Sequence, residues 1–172
     1  MARQIAENMS NILDGGAFIG VMNSPDLSVL KKNPLVIPFV QLAERIGSMQ
    51  AQLLGPNKVS SLTINLMGKD VSDSAVVDVL KASVLKGALG VLQDAYSVSY
   101  VNATSIAEEL GLTVTVNATS KTNPSSGYVN EVSVDMEMDG FLNMSRNIKG
   151  TVFGVSDVRV TEIDGYNVDL PS

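Results

Sequence analysis

The chain contains no cysteine and no histidine. The first absence excludes disulfides, thiol nucleophiles, Cys-ligated zinc and iron–sulfur clusters together. It also fits a reducing compartment. The second removes the usual general base and the commonest metal ligand. Basic residues are outnumbered, 12 against 18 acidic, for a net charge of −6. The charges are scattered and form no basic stripe, so nucleic acid is a poor partner. No run of about 20 apolar residues occurs, so no transmembrane helix is expected. Met1-Ala2-Arg3 leads straight into an amphipathic pattern, without the apolar core and cleavage site of a signal peptide. No Gly-x-Gly-x-x-Gly and no Walker A loop occur. The chain therefore lacks a phosphate cradle, and no cofactor, metal or catalytic residue is expected in it.

What is present is an ordinary globular pattern. At 172 residues one domain is the natural prior, and a chain this long buries roughly 70% of its unfolded surface without a staple. Ile5, Met9, Ile12 and Leu13 fall at helical spacing, and Gly15-Gly16 ends the run. A short strand or extended link at 20–23 and a turn at 24–27 follow. Leu35, Phe39, Leu42, Ile46, Met49 and Leu53 are spaced alternately by four and three. They predict one apolar helical stripe of about five turns, with Pro38 in the first turn and Gly55-Pro56 as the stop. Leu62, Ile64 and Leu66 alternate with polar residues as a strand. Ser72-Asp73-Ser74 can cap a second long helix over 73–92, with Val76, Leu80, Val84, Ala88 and Val91 inward. Gly87 and Gly90 inside that helix predict close approach of another backbone. Residues 96–101 read as a short strand or link. A third helix is expected over 104–110, with Asn102 or Thr104 as its cap and Gly111 at C′.

The remainder reads as strands. Leu112, Val114 and Val116 form one, and a polar loop runs from Thr119 to Gly127. Val132, Val134, Met136 and Met138 alternate with Glu131, Ser133, Asp135 and Glu137, predicting one dry face and one solvated acidic face. Asp139-Gly140 marks a hairpin turn leading to a strand that reaches Phe153. Val158 to Ile163 and Tyr166 to Leu170 flank a second turn at Asp164-Gly165. The order predicts an α+β fold: a two-layer sandwich with helices on one face of a mixed β-sheet.

Local motifs with chemical meaning fail on inspection. Asp135-x-Glu137-x-Asp139-Gly140 begins like a calcium loop, but Arg146 stands where the bidentate Glu belongs. Ser83-x-x-Lys86 lacks the companion motifs of serine acyl-enzymes. Sequons at Asn8, Asn102, Asn117 and Asn143 read as chance without a signal peptide. Val-Asn-Ala-Thr-Ser occurs at 101–105 and 116–120, in contexts needing different backbones, and reads as coincidence. Four bases remain as a candidate anion site: Lys121, Arg146, Lys149 and Arg159. Arg146 and Lys149 differ in strand parity, so a regular strand points them to opposite faces. Scattered solubilising charge is the competing explanation.

A set of short motifs in fixed order carries a resemblance. It comprises residues 38–47 (Pro-Phe-Val-Gln-Leu-Ala-Glu-Arg-Ile-Gly), Leu85-Lys-Gly-Ala-Leu89, and Tyr100-Val-Asn-Ala103 leading to Ala107-Glu-Glu-Leu-Gly111. Gly150-Thr-Val-Phe-Gly154 and Ile163-Asp-Gly-Tyr-Asn-Val168 complete it. The chain resembles the intervening, or allosteric substrate-binding, domain of long-form D-3-phosphoglycerate dehydrogenase. The resemblance implies a helical arm at 1–16, like the last helix of the preceding catalytic region, and the intervening domain over 17–172. It implies a non-catalytic regulatory or oligomerising role beside a catalytic core that oxidises 3-phosphoglycerate with NAD at the first step of serine synthesis. An ACT domain follows in many members. NAD would bind that missing catalytic region, and the partners would be the catalytic and ACT domains and further copies of the chain. Localisation would be cytoplasmic, or plastid if the full-length chain carries a transit peptide. Some members bind a phosphorylated effector here through Lys, His and Arg. Lys121 matches that set, whereas the His-Arg portion is replaced around Tyr128-Val129 and the last basic position by Tyr166. Two other readings stay open: a purely structural domain without ligand, and the related domain of an L-serine dehydratase.

Overall fold

A computed structural model describes residues 28–55, 59–92, 98–138 and 145–171. The expected arm at 1–16, the link at 20–23, the turn at 24–27, Pro56 and the Asp139-Gly140 turn lie outside the described residues. A short helix α1 (Ser28–Lys32) and a 3₁₀ turn (Pro34–Val36) lead into α2 (Ile37–Leu54). Pro38 sits in the first turn, where its missing N–H goes unneeded. Gly55, at φ 66°, ends the helix with its N–H on the Ala51 carbonyl at 3.1 Å.

Phe39, Leu42 and Ile46 are buried as their spacing predicts. Leu35 and Leu53 are not, at 56% and 49% exposed. Leu35 lies in the 3₁₀ turn, whose period differs from that of the helix. Leu53 loses its place because the buried arc is rotated toward Ala43, Gly47, Gln50, Ala51 and Leu54. Three of these five are small and one is polar, so spacing of large apolar side chains does not reveal that side.

The neighbour that rotates the arc is α3 (Ser74–Leu92). Its start is capped by Asp73, whose Oδ1 accepts the Ala75 N–H at 3.1 Å. Val76, Leu80, Val84 and Ala88 are buried, but Val91 is 41% exposed and Leu89 takes the inner position instead. Gly47 and Gly87 form a reciprocal seam. A Cβ on Gly87 would overlap the Glu44 carbonyl oxygen, and one on Gly47 would overlap that of Val84. Close backbone approach therefore explains Gly87. It does not explain Gly90, which faces open space.

Strands β1 (Val59–Met67), β2 (Thr113–Thr119), β3 (Glu131–Met138), β4 (Ser145–Phe153), β5 (Asp157–Ile163) and β6 (Tyr166–Pro171) form one sheet. Its order is β2-β1-β3-β4-β5-β6. Among the described strands only β1 and β2 pair in parallel, joined by a crossover through α3 and α4 (Ala103–Glu109). Residues 98–101 lead into α4 as a link and turn, not as a strand. Asn102 precedes α4 without capping it; its Oδ1 accepts from the Ser99 N–H at 2.6 Å and hydroxyl at 3.0 Å instead. Gly111, at φ 71°, closes α4 as expected. Asp164 and Gly165 both take positive φ, as the β5–β6 turn requires.

Register sorts the side chains into two faces. Leu62, Ile64 and Leu66 align with Met136, Val134 and Val132, and Val134 aligns with Ile148. All are fully buried beneath the helices. The fold is α+β, with helices on one face of a mixed sheet.

Candidate functional site

The sheet's other face is built from polar residues at alternate strand positions. Asn117 Nδ2 donates to Asn65 Oδ1 at 2.9 Å, and Asn65 Nδ2 to Asp135 Oδ2 at 3.0 Å. Asn147 Nδ2 then donates to Asp135 Oδ1 at 2.6 Å and to Ser133 Oγ at 3.1 Å. This rail crosses β2, β1, β3 and β4. The solvated acidic face expected for β3 needs correction. Asp135 is engaged by two amides, and Glu131 is only 3% exposed, with its Oε1 accepting from Asn123 Nδ2 at 2.9 Å. The 123–130 loop folds over that end of the sheet, and Thr151 Oγ1 donates to the Asn130 carbonyl at 2.6 Å.

The four candidate bases part company. Arg146 aligns with buried Met136, on the helix-covered face. It pairs with Asp164 in the β5–β6 turn. Burial pushes the Asp164 carboxyl up, but the Asn147 N–H and the Arg146 guanidinium outweigh this and hold it below the usual range. Lys149 aligns with Ser133 on the opposite face, as parity requires, and its Nζ lies 2.6 Å from Glu162 Oε1. Arg159 is clamped by two carboxylates: Asp157 on Nε and Nη2, and Asp169 on Nη1 at 2.7 and 2.8 Å. Those hydrogen bonds, Asp157 first, raise its pKa further. The guanidinium also stands 5.8 Å from the Phe153 ring, against which Tyr128 packs edge-on. Lys121 is exposed in the loop after β2.

The structure thus brings two of the four into one neighbourhood. Lys149 lines a depression of about 310 Å³ with Glu131, Glu162 and Asn123. Arg159 lines another of about 500 Å³ with Asp157 and Asp169. Both share Tyr128, Thr161 and Val168. In each, two carboxylates face one base, so neither depression presents excess positive charge to an anion.

Sequence reasoning missed a cluster in the helix layer. Glu44 on α2 takes Lys86 of α3 on one oxygen and the Tyr100 hydroxyl on the other, the latter at 2.5 Å. The Lys86 ammonium lies 4.6 Å from the Tyr100 ring centre. Burial first, then the hydrogen bond and the charge of Glu44, push the Tyr100 phenol well above its usual range, so it remains a donor. The cluster also disposes of the Ser83–Lys86 pair. Ser83 Oγ donates back to the Val79 carbonyl at 2.7 Å, whereas Lys86 turns to Glu44. Gln50 is equally hidden from sequence: fully buried, it donates to the carbonyls of Val134 at 2.5 Å and Arg146 at 3.0 Å, tying α2 to β3 and β4.

Among the described residues, no group of three acidic side chains could hold a metal, and no helix is long and apolar enough to cross a membrane. Fold and side chains together define a two-layer α+β domain with one helix-covered sheet face, one hydrogen-bonded polar face, and three of its four candidate bases paired with its own acids. The family model of the D-3-phosphoglycerate dehydrogenase intervening domain matches residues 35–164. The chain belongs to that family. No curated protein matches it.

Proposed function

We propose that the chain serves a D-3-phosphoglycerate dehydrogenase as a non-catalytic domain that helps hold subunits together. Oxidation of 3-phosphoglycerate and binding of NAD then belong to a catalytic region elsewhere in the full-length enzyme, acting in the cytoplasm or a plastid. The observation that carries this reading over an effector-binding one is the fate of the bases. Arg146, Lys149 and Arg159 each pair with the chain's own carboxylates. A phosphorylated effector would have to displace those partners, and charge-assisted donors already engaged offer it little net gain. The effector reading retains one favourable observation, the shared neighbourhood of Lys149 and Arg159.

Thermal unfolding in phosphate tests the choice, with sulfate as control because sulfate also stabilises by exclusion. The expected result is equal stabilisation by the two salts, unchanged in Lys121→Ala and Lys149→Ala. A phosphate-specific rise that either substitution abolishes would replace this reading with effector binding, since a ligand at about one hundred times its Kd stabilises by about 2.7 kcal/mol. The purified chain should form no NADH from 3-phosphoglycerate and NAD; turnover above a vector control would refute its non-catalytic character.

A further inference from the structure

The two edges of the sheet are unlike. Strand β6 carries Asp169 and ends on Pro171, features that discourage a further strand from pairing. Strand β2 reads Thr-Val-Thr-Val-Asn-Ala-Thr, without charge, proline or glycine and rich in β-branched residues. Among the described residues its single neighbour in the sheet is β1. One hydrogen bond fixes which backbone groups are left over. The Gly68 N–H donates to the Thr119 carbonyl at 2.9 Å, so Thr119 faces β1. Backbone polar groups alternate along a strand. Val114, Val116 and Ala118 therefore turn theirs to the free edge.

We propose that this edge joins two copies of the chain, β2 antiparallel to β2 about a two-fold axis at Val116. Lys121 of each copy then pairs with Glu108 or Glu109 of the other. The proposal rests on the oligomerising role proposed above and gives it an interface. Val116 is the midpoint of Thr113–Thr119. An axis there sets Val116 opposite its own copy and Val114 opposite Ala118. All three outward residues fall into doubly bonded pairs, giving roughly six backbone hydrogen bonds. The contact is isologous and closes on itself, so it does not propagate into a fibre.

Charge supports the same register. The chain bends just past the strand, where the Lys121 N–H donates to Thr119 Oγ1 at 3.3 Å, and the proposed axis brings this bend level with Gly111 of the other copy, beside the end of α4. That helix packs on β2 and ends on exposed Glu108 and Glu109, with Leu110 45% exposed beside them. Each copy thus offers a base at one end of the strand and acids at the other, which is complementary only when the strands run antiparallel.

Sedimentation of the 172-residue chain over about 1 μM to 1 mM tests this. Ala118→Pro removes an N–H that none of the described strands uses, which edge strands tolerate. Thr115→Lys places charge on the open side of the edge. Each should weaken association by about tenfold or more while leaving circular dichroism unchanged; Leu170→Lys on β6 should have no effect. Lys121→Glu should also weaken the dimer, and adding Glu108→Lys with Glu109→Lys should restore it. If Ala118→Pro does not fold, this charge reversal and its rescue decide. A dimer indifferent to the β2 and Lys121 variants would overturn the edge interface and leave the oligomerising role standing. A monomer at every concentration would overturn both.

Discussion

The two faces of the sheet are held by different physics. Under the helices, rows such as Leu62–Met136 and Ile64–Val134–Ile148 are sealed from water, and α2 and α3 meet backbone to backbone at Gly47 and Gly87. Such contacts draw on the hydrophobic effect and on close packing, at about 25 cal/mol per Å² removed from water. The opposite face carries the rail from Asn117 to Ser133, whose hydrogen bonds replace bonds to water and each contribute about 1 kcal/mol net. The first face sets the stability of the domain. The second fixes register between strands and keeps a polar surface orderly up to the β2 edge.

Substitutions can break or sharpen this contrast. The largest loss belongs to Phe39→Ala in the helix-covered core, about 3–5 kcal/mol by chemical denaturation. A cost under about 1 kcal/mol would show that Phe39 is not in the core. Gly87→Ala comes next. Its methyl group meets the Glu44 carbonyl, so α2 and α3 must separate, at roughly 1–3 kcal/mol; Gly90→Ala, facing open space in the same helix, should be neutral or slightly stabilising.

On the polar face, Asn65→Ala interrupts the rail between Asn117 and Asp135 and should cost about 1 kcal/mol, with the midpoint shifted and the denaturant slope unchanged. A loss as large as that of Phe39→Ala would erase the distinction between the faces.

The Arg146–Asp164 pair gives a smaller effect of pH. The folded pKa of Asp164 lies below its unfolded value. Its contribution is therefore complete above the unfolded pKa, near 4, and is lost as pH falls through the folded pKa. Both side chains are partly solvated, so Asp164→Asn should cost on the order of 1 kcal/mol at pH 7. The gap between the two proteins should close as pH drops from about 5 toward 3; a constant gap would show that the charge of Asp164 is not what stabilises. Smallest of all should be Leu53→Ala, within about 0.5 kcal/mol, despite its position on the stripe read from sequence.

Legibility in the sequence follows how local each signal is. Period-two alternation revealed β1 and β3, because adjacent residues on a strand face opposite ways whatever the neighbours are. The turn at Asp164-Gly165 and the end of α4 at Gly111 were legible because positive φ selects few residue types. The partnership of Glu44, Lys86 and Tyr100 left no such mark. It joins residues 42 and 56 positions apart, on elements whose contact depends on two small seam residues. The candidate bases fared likewise. Parity placed Arg146 and Lys149 on opposite faces, and Asp157 lies two residues from Arg159 on the same strand, but nothing local revealed that Asp164, Glu162 and Asp169 would also engage the bases.

The sequence by itself determined the α+β class, the principal elements, most of the core rows and the family resemblance, since each rests on periodicity, turn chemistry or motif order along the chain. Only the tertiary structure decided which arc of α2 is buried, which glycine marks a seam, where Arg146 and Lys149 find their acids and which of the described strands end the sheet. Those outcomes depend on which elements come to lie side by side, and that is fixed by packing between segments far apart in the chain.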